Sequence, residues 1–285
     1  MSCPDCFKGT IHEGTPKGKE ETIHHVLTYV ATPEKGIASS SKIIFITDVF
    51  GFNLVNNKLL ADKYAADTGC LVLMPSVIPG GGAPLSAIEL FDSLSTPVGL
   101  LDLTGQTKRA GAAFRAAAIF APFAVRTRNA FPKLLRFSRD VKASLPTDAK
   151  LGIAGFCWGG MHSTKLTAEP AEEGGNVPLF DAHFVAHPAG LKAPEDFSAA
   201  ANKFRVPISF AVGDLDMVLS KDKIESIESS LKEVYGRNSD DFEVKTYNGC
   251  KHGFAVRADP KRTIEDGAAM HAAAQAINWF GKYLA

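Results

Sequence analysis

The chain has 285 residues, 45% hydrophobic and 22% charged, with 31 Lys plus Arg set against 31 Asp plus Glu. That is ordinary globular composition, long enough for one large α/β domain or two small ones and for a sizeable core. A formal net charge of zero leaves no long-range field favouring nucleic acid or an anionic membrane, and the most apolar stretch, 110–125, carries Arg115 and Pro122 and is shorter than the roughly 20 apolar residues of a bilayer span.

The opening residues lack the apolar core of a secretory signal, so a soluble, cytoplasmic protein is expected. Residues 1–22 are polar and read as an N-terminal arm. Cys3 and Cys6 form a CxxC with His12 nearby, but no second CxxC exists to complete a four-ligand zinc site. Neither metal nor cofactor is expected. Residues 24–32 alternate like a strand, and 42–48 form a β-branched run suited to a strand buried on both faces. A helix is predicted over 53–69, capped by Asn53 and stopped by Gly69, and a buried strand over 70–76.

Residues 77–104 read as irregular. Residues 105–144 are helical in composition, broken at Pro122 and Pro132. Together, 77–144 form a helical insert, either packing helices or a lid over a cleft. Strands are predicted at 149–156, 181–190, 207–214 and 241–249, with helices near 220–236 and 261–284. This alternation points to a mostly parallel sheet with crossover helices in one α/β domain over 23–285.

The stretch "LGIAGFCWGG" (151–160) puts a lone thiol between glycines at the end of an apolar run. One reading is a buried structural Cys beside a turn. The other is a nucleophile elbow, Gly155-Phe156-Cys157-Trp158-Gly159, whose small flanking residues let strand and helix approach around a strained central residue. The bend would lift Cys157 above the C-terminal edge of the sheet, where open α/β sheets bind ligands. The helix N-terminus beside it favours a thiolate and an oxyanion.

A thiol nucleophile needs a base, and the base an orienting group. "GDLDMV" (213–218) follows one buried strand and offers Asp216, with Asp214 as the alternative. "CKHGFAVR" (250–257) follows the last strand and offers His252. Nucleophile, acid and His thus occur in the chain order of α/β hydrolases.

These pieces, with "TDVFG" (47–51) and "ADKYAADTGCLVLMP" (61–75), make the chain resemble the dienelactone hydrolase family of α/β hydrolases, particularly its fungal members. The resemblance spans most of the chain in order and implies the α/β-hydrolase fold. It implies a triad of Cys157, His252 and Asp216, and an oxyanion hole from the backbone N–H groups of Val49 and Trp158. It also implies that Asp48, standing where bacterial members carry Glu, either pairs with the resting thiol or fixes its loop. Arg257 lies near a position that bacterial members use for the substrate carboxylate, with Arg115, Arg126 and Arg128 as alternatives. His187, in "HPAG", either lines the cleft or packs. Ser76 stands where many relatives have Asp.

The activity implied is opening of a lactone, or cleavage of an activated ester, through an acyl thioester on Cys157. The apolar insert favours an apolar or aromatic small-molecule substrate, on a monomer or homodimer with no nucleic-acid or membrane partner. Two other readings stand beside it. One is a ligand-binding relative without turnover. The other is a thiol redox protein in which Cys250 resolves Cys157.

Overall fold

The computed structural model describes residues 10–285 apart from 35, 37, 38, 96, 97, 100 and 238. The Cys3–Cys6 pair lies outside the described residues. His12 lies within them, and its Nε2 is 2.8 Å from the Ala258 carbonyl.

Eight strands form one sheet: β1 (Lys19–Ile23), β2 (Val26–Ala31), β3 (Lys42–Ile46), β4 (Leu71–Pro75), β5 (Leu151–Phe156), β6 (Ala182–Ala186), β7 (Ile208–Gly213) and β8 (Phe242–Tyr247). Their order is β1-β2-β4-β3-β5-β6-β7-β8. The β1–β2 and β2–β4 pairs are antiparallel, and every pair from β4 to β8 is parallel. The helices are α1 (Val55–Thr68), α2 (Ala87–Ser95), α3 (Leu103–Thr127), α4 (Ala130–Ala143), α5 (Trp158–Leu166), α6 (Glu195–Phe204), α7 (Lys221–Tyr235), α8 (Phe254–Arg257) and α9 (Thr263–Leu284).

Both faces of the sheet are covered, which is why its central strands are mostly apolar, with His183 and Ser209 as buried exceptions. On β3, Ile43 and Phe45 join a cluster with Tyr64 of α1 and Phe280 of α9. Ile44 and Ile46 point the other way, into a cluster with Leu134, Phe137 and Val141 of α4. A third cluster packs Phe210 and Val212 of β7 against Phe197 of α6 and Ile227 and Leu231 of α7. Successive side chains of a strand face opposite sides, so each run serves two layers.

Several local expectations are corrected. The arm contributes β1, because Lys19–Ile23 pairs with β2 despite its exposed polar side chains. Its preceding residues also pack, with Lys17 N–H donating to Asp62 and His12 N–H to Asn56. Leu54, not Asn53, precedes α1; the Asn53 amide instead donates to the Gly80 and Ala83 carbonyls. Gly69 does end α1, in the left-handed conformation at φ 71°. The stretch read as irregular contains α2. Pro122 does not break α3, which continues for 25 residues. Pro132 sits in the first turn of α4, where its missing N–H would have had no helical acceptor.

Candidate active site

The loops that follow β3, β5, β6, β7 and β8 meet at the C-terminal end of the parallel strands. They carry Asp48 and Val49, Cys157, His187, Asp214 and Asp216, and His252 respectively.

Cys157 joins β5 to α5 with φ 52° and ψ −115°, a strained conformation for a residue with a side chain. Its N–H donates to the Ala186 carbonyl at 3.2 Å, and its own carbonyl accepts from Gly160 and Ala189, both at 3.0 Å. The flanking glycines are sterically required. A Cβ on Gly155 would lie 2.1 Å from Ser163 Oγ, and one on Gly159 would lie 2.3 Å from the carbonyls of both Ile46 and Thr47. The start of α5 therefore rests directly on the end of β3, beside Val49.

His252 Nε2 lies 3.2 Å from Cys157 Sγ. Its Nδ1 lies 2.9 and 3.1 Å from the two oxygens of Asp216. Asp216 also accepts the N–H groups of Val218 at 2.8 Å and Leu219 at 3.3 Å, which fixes the carboxylate in the β7–α7 turn. Burial pulls the His252 pKa down, but the facing sulfur and carboxylate outweigh it and raise it to about 10. The imidazolium form is thereby favoured at neutral pH. Asp214 is placed elsewhere: it accepts from Gly249 N–H at 2.7 Å and Cys250 N–H at 3.3 Å, pinning the loop that carries His252.

Trp158 follows Cys157 in the chain, and Val49 shares the buried cluster of Cys157. Trp158 is the first residue of α5, where an amide has no intrahelical acceptor. The Val49 carbonyl accepts from Ala83 N–H at 2.8 Å, tying its loop to the insert. Among the described residues, neither amide donates a hydrogen bond. The Trp158 ring meets Phe123 of α3 edge-on at 6.0 Å. Phe123 and Val49 are buried in one apolar cluster with Cys157, and Phe120 packs against it. The insert thus walls the site with aromatic surface.

Asp48 and His187 take the second of their two expected roles, fixing a loop and packing, while Arg257 departs from its expected one. Asp48 is fully buried and bonds Arg257 Nη1 at 2.8 Å, Phe50 N–H at 3.0 Å and Asn57 Nδ2 at 3.1 Å. None of these partners is the thiol. Arg257 is buried beneath the site, committed to Asp48 and stacked over the Phe50 ring at 5.1 Å, so it offers no open face to a ligand carboxylate. His187 does not line a cleft. It has no exposed surface and packs its ring against His252 at 5.1 Å between centroids. Burial, with His252 and Arg257 nearby, pushes its pKa far down, so it is neutral. Arg115, Arg126 and Arg128 are all exposed.

The Asp214 contacts and the Asp48–Asn57–Arg257 cluster were not visible in the sequence. Asn57 and Asp214 lie in ordinary helix and turn positions, and Arg257 lies 209 residues from Asp48. Only the family-like "TDVFG" and "KHGFAVR" motifs pointed to that region.

A dienelactone hydrolase family model matches residues 26–284. The chain belongs to the dienelactone hydrolase family. Membership makes it an ester- or lactone-cleaving hydrolase on an α/β-hydrolase scaffold. The Aspergillus violaceofuscus hydrolase pyvD is 26% identical over 279 residues, covering 98% of this chain and 96% of that protein. The human carboxymethylenebutenolidase homolog is 25% identical over 289 residues, covering 99% and 97%. A crystal structure of a putative dienelactone hydrolase from Klebsiella pneumoniae superposes with a TM-score of 0.60 at 17% identity, over 90% of this chain and 93% of that one. At that identity the superposition speaks to fold alone. Among the described residues of this dienelactone hydrolase family member, no helix is long and apolar enough to cross a membrane.

Proposed function

We propose that this family member opens lactones or cleaves activated esters through an acyl thioester on Cys157. The observation that carries this reading is the 3.2 Å approach of His252 Nε2 to Cys157 Sγ, with Asp216 on the other ring nitrogen.

The sequence of steps follows from where the proton sits. In the resting pair the Cys157 proton sits on His252 Nε2, and Asp216 steadies this imidazolium. The sulfur attacks the substrate carbonyl carbon. The carbonyl oxygen becomes an oxyanion, received by the N–H groups of Val49 and Trp158, which are held in place before charge develops. When this intermediate collapses, the C–O ester bond breaks and His252 returns its proton to the leaving oxygen. In a lactone that oxygen stays tethered to the acyl group. Water then attacks the thioester carbonyl while His252 takes its proton. The C–S bond breaks, the carboxylic acid leaves, and the thiol is restored. With its proton already on the ring, resting His252 is placed to protonate the leaving oxygen, and its high pKa makes it a weak acid, which suits substrates with good leaving oxygens, enol lactones and aryl esters first.

Asp48 supports this reading as a positioning residue. Through Arg257, Phe50 and Asn57 it holds the loop that presents the Val49 amide. Phe120, Phe123 and Trp158 favour an apolar or aromatic acyl or alcohol portion. The redox alternative is not favoured, because Cys250 is fully buried and its pKa is pushed up to about 11 by burial and by Glu265 and Asp214. The test is hydrolysis of enol lactones and aryl esters by Cys157→Ala. Turnover should fall to the uncatalysed level, and undiminished turnover would reject the nucleophile.

A further inference from the structure

The last strand of the sheet, β8, ends the order opposite β1 and has a neighbour on one side only. Its inner edge pairs with β7 from Ile208↔Phe242 to Gly213↔Tyr247. Ile208 N–H donates to the Asp241 carbonyl and Asp214 N–H to the Tyr247 carbonyl, so odd-numbered residues turn their main-chain groups toward β7. In a parallel ladder these directions alternate. Phe242, Val244 and Thr246 therefore turn theirs outward. Among the described residues, no turn, loop or side chain bonds those outward groups.

A groove of about 540 Å3 runs between β8 and α9, lined by Phe242, Glu243, Lys245, His271, Ala274 and Asn278 among others. Met270, 62% exposed, stands one helical turn before Ala274 on the same face of α9. An open ladder beside a groove with an exposed apolar rim is a surface that natural sheets normally cover or blunt.

We propose that β8 is a dimer edge, where two copies of this chain pair antiparallel about a two-fold axis through Val244 and join their sheets into one. The argument for a second copy is that the strand is complementary to itself. In this register Phe242 faces Thr246 of the second copy and Val244 faces its own equivalent. All of these are outward-facing positions, so about six N–H···O bonds form. Glu243 then faces the second copy's Lys245, and Lys245 its Glu243, at the closely spaced non-hydrogen-bonded positions. The neighbouring registers fail on charge: centring on residue 243 sets Glu243 against its own equivalent, and centring on residue 245 does the same to Lys245. Ser209 Oγ of β7 donates to the Glu243 carboxylate at 2.6 Å, so Glu243 gives up or shares that bond to reach the second copy's Lys245. Because the axis is perpendicular to the sheet, the two α9 helices fall on the same side and the two grooves adjoin.

Sedimentation of the full chain tests this. The wild type should be a dimer at about 10 μM and dissociate on dilution. Val244→Pro should be monomeric, because its lost N–H faces outward and the β7 ladder is untouched. Lys245→Glu, an exposed substitution that leaves the fold intact, puts two Glu pairs across the axis and should weaken dimerisation about ten-fold or more. Glu243→Lys with Lys245→Glu restores opposite charges in reversed order and should recover most of that loss. A wild type that stays monomeric at about 100 μM, or a Lys245→Glu variant that dimerises as tightly as wild type, overturns the proposal.

Discussion

Asp48 and Arg257, 209 residues apart, are joined at 2.8 Å in the interior and tie the β3–α1 loop to α8. Each charge is desolvated, so removing one strands the other. Arg257→Met should cost about 3–5 kcal/mol in urea unfolding, because Asp48 keeps only Phe50 and Asn57 as partners. The double variant Asp48→Asn with Arg257→Met should lose clearly less. Equal losses would mean that the pair contributes through shape rather than charge.

The His252–Asp216 contact carries a pH signature. His252 is raised from 6.5 to about 10 in the folded protein. A raised group contributes stability that is complete below its unfolded pKa and lost as pH climbs through the folded value. That contribution is therefore present at pH about 6 and disappears between about 6.5 and 10. Asp216→Asn removes one of the two raising partners. It should flatten this part of the stability–pH curve and lower kcat by about a hundred-fold or more. An unchanged curve with unchanged kcat would place Asp216 outside the site's chemistry.

The steric reading of the elbow gives a stability test. At Gly159 an added methyl meets two carbonyls at 2.3 Å, and both belong to backbone that cannot rotate away. Gly159→Ala should cost about 3 kcal/mol or more and lower Tm by several degrees. An alanine variant that melts with the wild type would mean that β3 and α5 are not packed as described.

Phe123 connects the insert to the site through Trp158. Phe123→Ala should raise KM for aryl esters more than for small acetate esters, with about 3 kcal/mol lost in stability because the side chain is buried. Equal effects on both substrate classes would reduce Phe123 to a scaffold residue.

The sheet and the elbow were legible because their signals are local. The run 42–48 is β-branched and closed by a turn, and Gly155-x-Cys157-x-Gly159 states its own steric condition. What was missed has other causes. β1 is an edge strand with exposed side chains, so "KEETI" carries no apolar pattern, and only its pairing to β2 makes it a strand. Pro122 removes one helical bond. α3 nevertheless continues, since Phe123 and Thr127 anchor its inner face immediately afterwards. Asp214 and Asp216 are two turn acids of the same type. Which one faces His252 depends on how the β7–α7 turn closes, which no propensity encodes. The burial of Arg257 and His187 likewise follows from loops distant in sequence meeting over the sheet.

The central claim is a covalent bond between substrate and Cys157, and intact-protein mass spectrometry during turnover of a slowly deacylated aryl ester tests it most directly. Wild type should gain the mass of one acyl group, mapped to the peptide carrying Cys157, and the adduct should disappear as product forms. Hydrolysis at a normal rate with no adduct at any time, or with Cys157 replaced by Ala, would contradict it.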